Sequence, residues 1–231
     1  MAALQALWQG DSAGADSLRF ERTLKDQGYR LVAGTDEAGR GPLAGPVVAA
    51  CVVLPEDCRA AGRFQDSKQL KPQRRLELAA EIAALPGVYL GIGVVEPAEI
   101  DRLNILQASL LAMKKAVQAL AAAPAGDGLH GLLPDFLLVD GKQQVPIALP
   151  QQALVQGDSR SASIAAASIV AKVRRDEIME HCHRRYPQYN FRRHKGYGTA
   201  EHLRLLREHG PCPLHRRSFR PVRSCLGGED D

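Results

Sequence analysis

The stretch Leu31-Val32-Ala33-Gly34-Thr35-Asp36-Glu37-Ala38-Gly39-Arg40-Gly41 decides how this chain is read. Its apolar start predicts a buried strand over 31–36, ending where two carboxylates stand side by side. Pro46 to Leu54 (PVVAACVVL) predicts a second strand, and the turn over 39–45 is short enough for an antiparallel hairpin. Carboxylates at a buried strand end are costly unless a cation neutralises them. A hard divalent metal is one such cation, and an arginine is another. Gly39 and Gly41 let backbone approach a ligand closely, and Arg40 matches phosphate geometry. The combination suggests a site that handles metal and phosphate. The competing reading makes Arg40 only the salt-bridge partner of Asp36 or Glu37.

Outward from this hairpin, Val88 to Val95 (VYLGIGVV) predicts a third strand. A helix over 72–85 precedes it, with Leu76, Ala79, Ala80, Ala83 and Ala84 on one face. A long helix over 104–123 follows, carrying Ile105, Leu106, Ser109, Leu110, Met113, Ala116, Val117 and Leu120 at helical spacing and ending at Pro124-Ala125-Gly126-Asp127-Gly128. Phe136 to Asp140 and Ala153 to Gln156 predict two more short strands. Ser161 to Tyr186 predicts a helix whose first half is small and apolar, hence buried, and whose second half is charged. A loop over 187–198, a short helix over 199–209 and an arginine-rich tail complete the chain, while residues 1 to about 28 read as an appended helix or loose tail. Three strands followed by strands alternating with helices give a mixed sheet with helices on its faces, an α/β or α+β layered domain. The basic segment 172–223 becomes a small helical addition to it.

The chain has 231 residues, 45% of them hydrophobic, enough for one large domain or a domain with an appendage. No apolar run reaches the roughly 18 residues of a membrane span, and the start lacks a signal peptide's cationic and apolar blocks. Five scattered cysteines without a CxxC pair argue for a reduced, cytoplasmic protein and against a zinc or disulfide framework. The net charge of +4 is unevenly placed: residues 172–223 carry 14 basic and 5 acidic side chains. A basic third beside an acidic pocket suits an enzyme that cuts phosphodiesters, although a solvated basic face is the plainer reading.

Acids recur at the ends of expected strands: Asp36-Glu37, Asp140 before Gly141, and Asp158 after Gly157. Ligands gather at the carboxyl ends of strands in open sheets. If these strands are neighbours, four carboxylates converge, repel and raise one another's pKa. Mg²⁺ or Mn²⁺ would relieve this, and paired ions can activate water and stabilise a departing oxygen. Asp-Gly and Gly-Asp also form ordinary turns. Adjacent strand residues point to opposite faces, so Asp36 and Glu37 are expected to share one site only if the strand ends or bulges there.

Asp36-Glu37-Ala38-Gly39-Arg40-Gly41, Asp66-Ser67-Lys68, Val139-Asp140-Gly141, the run Ser163 to Lys172 (SIAAASIVAK), Lys195-Gly196-Tyr197-Gly198-Thr199 and His215-Arg216-Arg217-Ser218-Phe219 together resemble the ordered motifs of bacterial ribonuclease HII, a type 2 ribonuclease H. The resemblance spans about residues 30–220, with one departure at Lys142, where many relatives have asparagine. It implies an RNase H-like fold with a mixed five-stranded sheet, divided into an extension (1–29), a catalytic domain (30–186) and a basic C-terminal region (187–231). It implies metal-dependent cleavage of the RNA strand of RNA–DNA hybrids and incision 5′ of single ribonucleotides in duplex DNA, leaving a 3′-hydroxyl and a 5′-phosphate. Asp36, Glu37 and Asp140 would be metal ligands and Asp158 the fourth acid, with two Mg²⁺ or Mn²⁺ ions at work. Gly39, Arg40 and Gly41 would sense the ribose 2′-hydroxyl, a donor and acceptor that DNA lacks. Tyr197 would stack on the following sugar.

Ser67 and Lys68 are candidates to hold a phosphate, or else a helix cap. Arg192, Arg193, Lys195, Arg216, Arg217 and Arg220 are candidates for nucleic-acid backbone contacts, or else surface charge. His194, His202, His209 and His215 are expected on the basic face, and His181-Cys182-His183 are too close together for zinc. A monomer acting on nucleic acid, with no membrane contact, is expected. A non-catalytic nucleic-acid-binding module and a different RNase H-like metal nuclease remain as alternatives.

Overall fold

A computed structural model describes residues 17–64, 70–122 and 133–227. The core is a five-stranded sheet in the order β3-β2-β1-β4-β5. Strands β1 (Val32–Ala38), β2 (Val47–Val53) and β3 (Tyr89–Val95) form an antiparallel meander. Strands β4 (Phe136–Asp140) and β5 (Gln151–Leu154) then add in parallel beside β1. The mixed sheet is the one the sequence pattern and the resemblance call for. β5 starts two residues earlier than expected and closes before Gln156, whose φ of 54° turns the chain out of the sheet.

Among the described residues the helices are α1 (Arg19–Asp26), α2 (Pro72–Ala83), α3 (Pro97–Leu103), α4 (Ile105–Ala122), α5 (Ala162–Arg185), α6 (Phe191–His194), α7 (Ala200–His209) and α8 (Arg220–Ser224). Helix α4 covers one face of the sheet: Ala108, Ala112, Ala116 and Val117 pack on Ala33, Val47, Ala49, Cys51 and Val139. Helix α5 covers the other, where Ala162, Ala165, Ala166 and Ile169 meet Ala50, Val52 and α2. β2 is therefore buried on both sides, which is why it reads as an unbroken apolar run. Small residues on α5 let it lie against the sheet. At Gly34 even a Cβ would come within 2.3 Å of the α5 backbone at Ile164.

The buried face of α2 differs from expectation. Arg75, Leu78 and Ile82 face inward, while Leu76, Ala80, Ala83 and Ala84 are exposed. Alanine is a good helix former on a surface, so an alanine stripe is weak evidence of a core face. Leu78→Ala at such a site costs about 2–5 kcal/mol.

The start of α5 is tied down by α1. Ser161 caps the helix, and Glu21 accepts from the Ser161 hydroxyl (2.6 Å), the Ser163 hydroxyl (2.6 Å) and the Ser163 amide (3.0 Å). An acid at a helix N-terminus also meets the positive end of its dipole. At the far end of α5, Met179 and Cys182 join Tyr189, Phe191, Leu205, Cys212 and Ala44 in a separate small core. It carries α6 and α7 and reaches back to the loop after Gly41.

Candidate active site

The parallel ladder between β1 and β4 stops at the rung Thr35–Val139. The next residues are Asp36 and Asp140. β1 does not end there: Glu37 and Ala38 stay paired with Ala49 and Val48 of β2. The expectation that the strand ends or bulges at the acids is thus corrected. What leaves is the partner strand, because Asp140 pairs with Leu154 of β5 instead. A cleft opens between β1 and β4 with acids on both lips.

Side-chain alternation survives in this strand. Asp36 lies opposite Ala50, on the α5 face, and Glu37 opposite Ala49, on the α4 face. Both still interact with Asp140 across the cleft. Asp36 is 3% exposed, and burial first, then the charges of Asp140 and Glu37, push its carboxyl well above the usual range. The Ser168 hydroxyl and the Glu37 amide, 2.7 Å from Oδ1, partly oppose that rise by stabilising the charged form. Glu37 is also raised, chiefly by burial and then by Asp140, with Arg40 pulling the other way. Arg40 Nη1 stands 3.3 Å from Glu37 Oε1, so the ion-pair reading of Arg40 is realised.

The structure thus brings Asp36, Glu37 and Asp140 into mutual electrostatic contact. Asp158 is buried in the 3₁₀ turn Gly157–Ser159. Its link to the others runs through the backbone: the Gly157 amide donates to Asp140 Oδ1 at 2.7 Å. Among the described residues no three His, Cys, Asp or Glu side chains close on one point as a finished metal cage. The donor set nevertheless fits a hard divalent cation. It is all carboxylate oxygen, and one buried and two half-buried acids in mutual repulsion call for positive charge.

Beside the acids lies a groove of about 320 Å³ lined by Glu37, Ala38, Gly39, Arg75, Ser168, Lys172 and Tyr197. Tyr197 is 44% exposed. A Cβ on Gly41 would sit 3.8 Å from its ring, so the tyrosine and the glycine turn share one wall. Lys172 Nζ lies 6.0 Å and Arg175 Cζ 5.9 Å from the ring centroid. Ser168, Lys172 and Arg175 are the polar residues that sequence reading passed over as helix. Their signal was available: spacings of four and three place them on one helix face that turns toward the site.

Two arginines shape the turn. Arg216, expected to contact nucleic acid, is instead fully buried. Its guanidinium donates to the carbonyls of Gly39 (2.6 Å), Arg40 (2.9 Å), Gly45 (3.0 Å) and Pro46 (3.3 Å). Arg175, also fully buried, donates to Ala44 (3.2 Å) and Pro46 (3.0 Å). Gly39 has φ +100°, and a Cβ there would lie 2.1 Å from Arg175 Nε. The glycine therefore serves a close approach by the protein's own arginine. Arg216 fails as a phosphate contact because a planar five-donor fork matches clustered carbonyls as well as it matches an anion.

Lys195, another expected contact, spends its ammonium on Glu180. Arg217 is exposed, its amide held by Asp101 at 2.9 Å. Arg192 is exposed too, and Arg193 pairs with Glu201 at 3.2 Å. His194, His202 and His215 are buried, not spread on the basic face. Ser67 and Lys68 lie outside the described residues.

A family model described as Ribonuclease HII matches residues 33–222. A ribonuclease HII from Geobacillus kaustophilus is 54% identical over 209 residues, covering 90% of this chain and 75% of the relative. One from Syntrophobacter fumaroxidans is 50% identical over 217 residues, covering 94% of this chain and 88% of the relative. Among solved structures, ribonuclease H2 from Pyrococcus horikoshii OT3 superposes with a TM-score of 0.69 at 26% identity, over 86% of this chain and 98% of that one. The fold is shared with Bst-RNase HIII, solved in complex with Mn²⁺, at a TM-score of 0.66 and 21% identity, over 98% of this chain and 80% of that one. With the match running from the first strand into the last helix, the chain belongs to the ribonuclease HII family and is an RNase H hydrolase on an RNase H-like α/β fold.

Proposed function

We propose that this enzyme cuts the RNA strand of RNA–DNA hybrids and incises 5′ of single ribonucleotides in duplex DNA, leaving 3′-hydroxyl and 5′-phosphate ends. The observation that carries this reading is one juxtaposition. Glu37, in electrostatic contact with Asp36 and Asp140, lines a groove whose other wall is a tyrosine packed beside a backbone-rich glycine turn.

Asp36, Glu37 and Asp140 would hold Mg²⁺ or Mn²⁺, with Asp158 as a fourth acid and two ions during turnover. Bound there, such ions activate a water and stabilise the departing oxygen. The protein's own groups do the rest. Asp140 is oriented by the Gly157 amide and Asp36 by the Glu37 amide, so their carboxylates are aimed before a substrate arrives. Backbone donors and acceptors of the turn over 39–41 distinguish a 2′-hydroxyl from a hydrogen. Tyr197 offers a flat surface to the next sugar, which fits closely when that sugar lacks the extra oxygen. Lys172 and Arg75 give the groove positive charge beside the acids, with Asp176 bridging them at 2.7 and 3.9 Å. Exposed Arg217 and Arg192 suit sequence-independent phosphate contacts. Five free cysteines suit a reducing compartment such as the cytoplasm.

The test uses one duplex carrying a single ribonucleotide and its all-DNA twin, each with Mg²⁺ and with Mn²⁺. Cutting confined to the first duplex, on the 5′ side of the ribonucleotide, is expected. Equal cutting of both would discard the 2′-hydroxyl reading, and no cutting of either or of a long hybrid would discard the activity.

A further inference from the structure

Three histidines lie buried behind Tyr197, and each meets a partner whose hydrogen-bonding sense is fixed. The His202 Nδ1 faces the carbonyl of Tyr197 at 2.9 Å, so this nitrogen carries the proton. The Cys212 amide donates to His215 Nδ1 at 3.0 Å, so the His215 proton is on Nε2. The two Nε2 atoms are 3.1 Å apart, and only one orientation remains: His215 donates and His202 accepts. His194 stacks on His202 with ring centroids 4.3 Å apart. It too is fixed, receiving the Gly196 amide on Nδ1 (3.2 Å) and facing the Tyr189 carbonyl through Nε2 (2.7 Å). Around the rings stand Phe191 and Tyr189, and the charges of Glu201 and Arg193 reach His194.

From this geometry we propose that His202, locked as its Nδ1–H tautomer by His215, is a positioning residue for Tyr197. The chain Cys212–His215–His202–Tyr197 fixes the main chain from which the aromatic plate projects. The Gly196 carbonyl, held by the Leu43 amide at 2.8 Å, ties the same loop to the glycine turn. Plate and turn are thus held at one spacing, which is what discrimination at the RNA-to-DNA junction demands. Burial keeps His202 and His215 neutral, their pKa values pushed down to about 4, so the chain persists at neutral pH. Protonating either ring would set two donors face to face. The inference rests on the proposed stacking role of Tyr197.

The experiment compares cleavage of a single-ribonucleotide duplex with cleavage of a long hybrid, in saturating Mn²⁺, for wild type, Tyr197→Ala, His202→Leu and His202→Asn. The His202→Asn amide retains a donor near the position of Nδ1. We expect His202→Leu to lower the junction preference about 5- to 10-fold at unchanged Mn²⁺ midpoint, and His202→Asn to restore most of it. If Tyr197→Ala lowers the preference and His202→Leu does not, the positioning role is overturned while the stacking role stands. If Tyr197→Ala leaves the preference unchanged, the stacking role itself fails. Equal loss in His202→Leu and His202→Asn overturns the donor role. Should His202→Leu not fold, ¹⁵N spectra of the wild-type imidazoles decide: Nδ1–H for His202 and Nε2–H for His215 uphold the chain, and any other neutral tautomer or a charged ring at pH 7 overturns it.

Discussion

Asp36 and Asp140 are the first residues beyond the last rung of one parallel ladder, the rung Thr35–Val139. Two strands that run side by side for four rungs part at that point, and each delivers an acid to the gap. Their nearness therefore depends on sheet register rather than on a flexible loop. A slip of one residue would turn either carboxylate to the opposite face.

This nearness carries a stability cost. Burial and like charge raise Asp36, so the folded state holds a proton more readily than the unfolded chain does. In chelator, stability should fall as pH rises from about 4 through the raised pKa. Asp36→Asn should flatten that fall and melt at least as high as wild type near neutral pH. It should also cut cleavage by about 100-fold or more, beyond what loss of a group merely supporting a metal ligand costs. Thermal melts in EDTA, and again with Mn²⁺, check this: the metal should raise the midpoint of wild type and not of Asp36→Asn.

Arg216→Lys keeps the charge but loses the fork that spans four carbonyls. A buried cation with fewer partners costs about 3 kcal/mol. The melting midpoint should drop by roughly 6–12 °C for a chain of this size. Discrimination between ribonucleotide and all-DNA duplexes should weaken in the molecules that fold, because the turn loses its frame. Urea titration and paired cleavage assays measure both.

The buried imidazoles set an acid limit. His202 and His215 titrate near 4 when folded and near 6.5 when unfolded. The unfolded chain takes up the protons first, so their contribution is intact above about pH 6.5 and is lost as pH falls toward 4. Each ring accounts for on the order of 3 kcal/mol. His215→Gln should make the urea midpoint less dependent on pH over that window.

Glu21→Ala removes the acceptor for two serine hydroxyls and one amide at the start of α5. Leaving those donors buried without it costs about 2 kcal/mol. Stability by denaturant should fall accordingly, while specific activity of the folded enzyme should fall far less than in Asp36→Asn, since Glu21 faces the serines and reaches the acids only through Ser161 and the Gly157 backbone. Circular dichroism melts with matched cleavage rates test the pair of outcomes.

Much of this architecture was legible in the chain. The runs around Val32, Val47, Tyr89 and Phe136 located four strands because buried strands must be apolar, and Asp140 marked where the last of them stops. Periodicity found α4 and α5. It misjudged α2, because alanine counts as apolar yet packs as readily against water. The roles of Arg216, His202 and His215 were illegible for a different reason. Their partners are backbone carbonyls, amides and one another, and carbonyls leave no mark on sequence. Arg216 meets Gly39, 177 positions away, and only the fold brings them together. Asp36 and Glu37 posed the same problem in reverse: alternation forbade a shared site, and the departure of β4 from β1 supplied the opening.

Whether the parted strands hold a cation between them is decided by anomalous scattering from crystals soaked in Mn²⁺. A manganese peak is expected between Asp36 and Asp140, in contact with a carboxylate oxygen of each, and it should disappear in Asp36→Asn. A Mn²⁺ peak bound elsewhere, or an empty cleft at a concentration that supports cleavage, would refute the metal site.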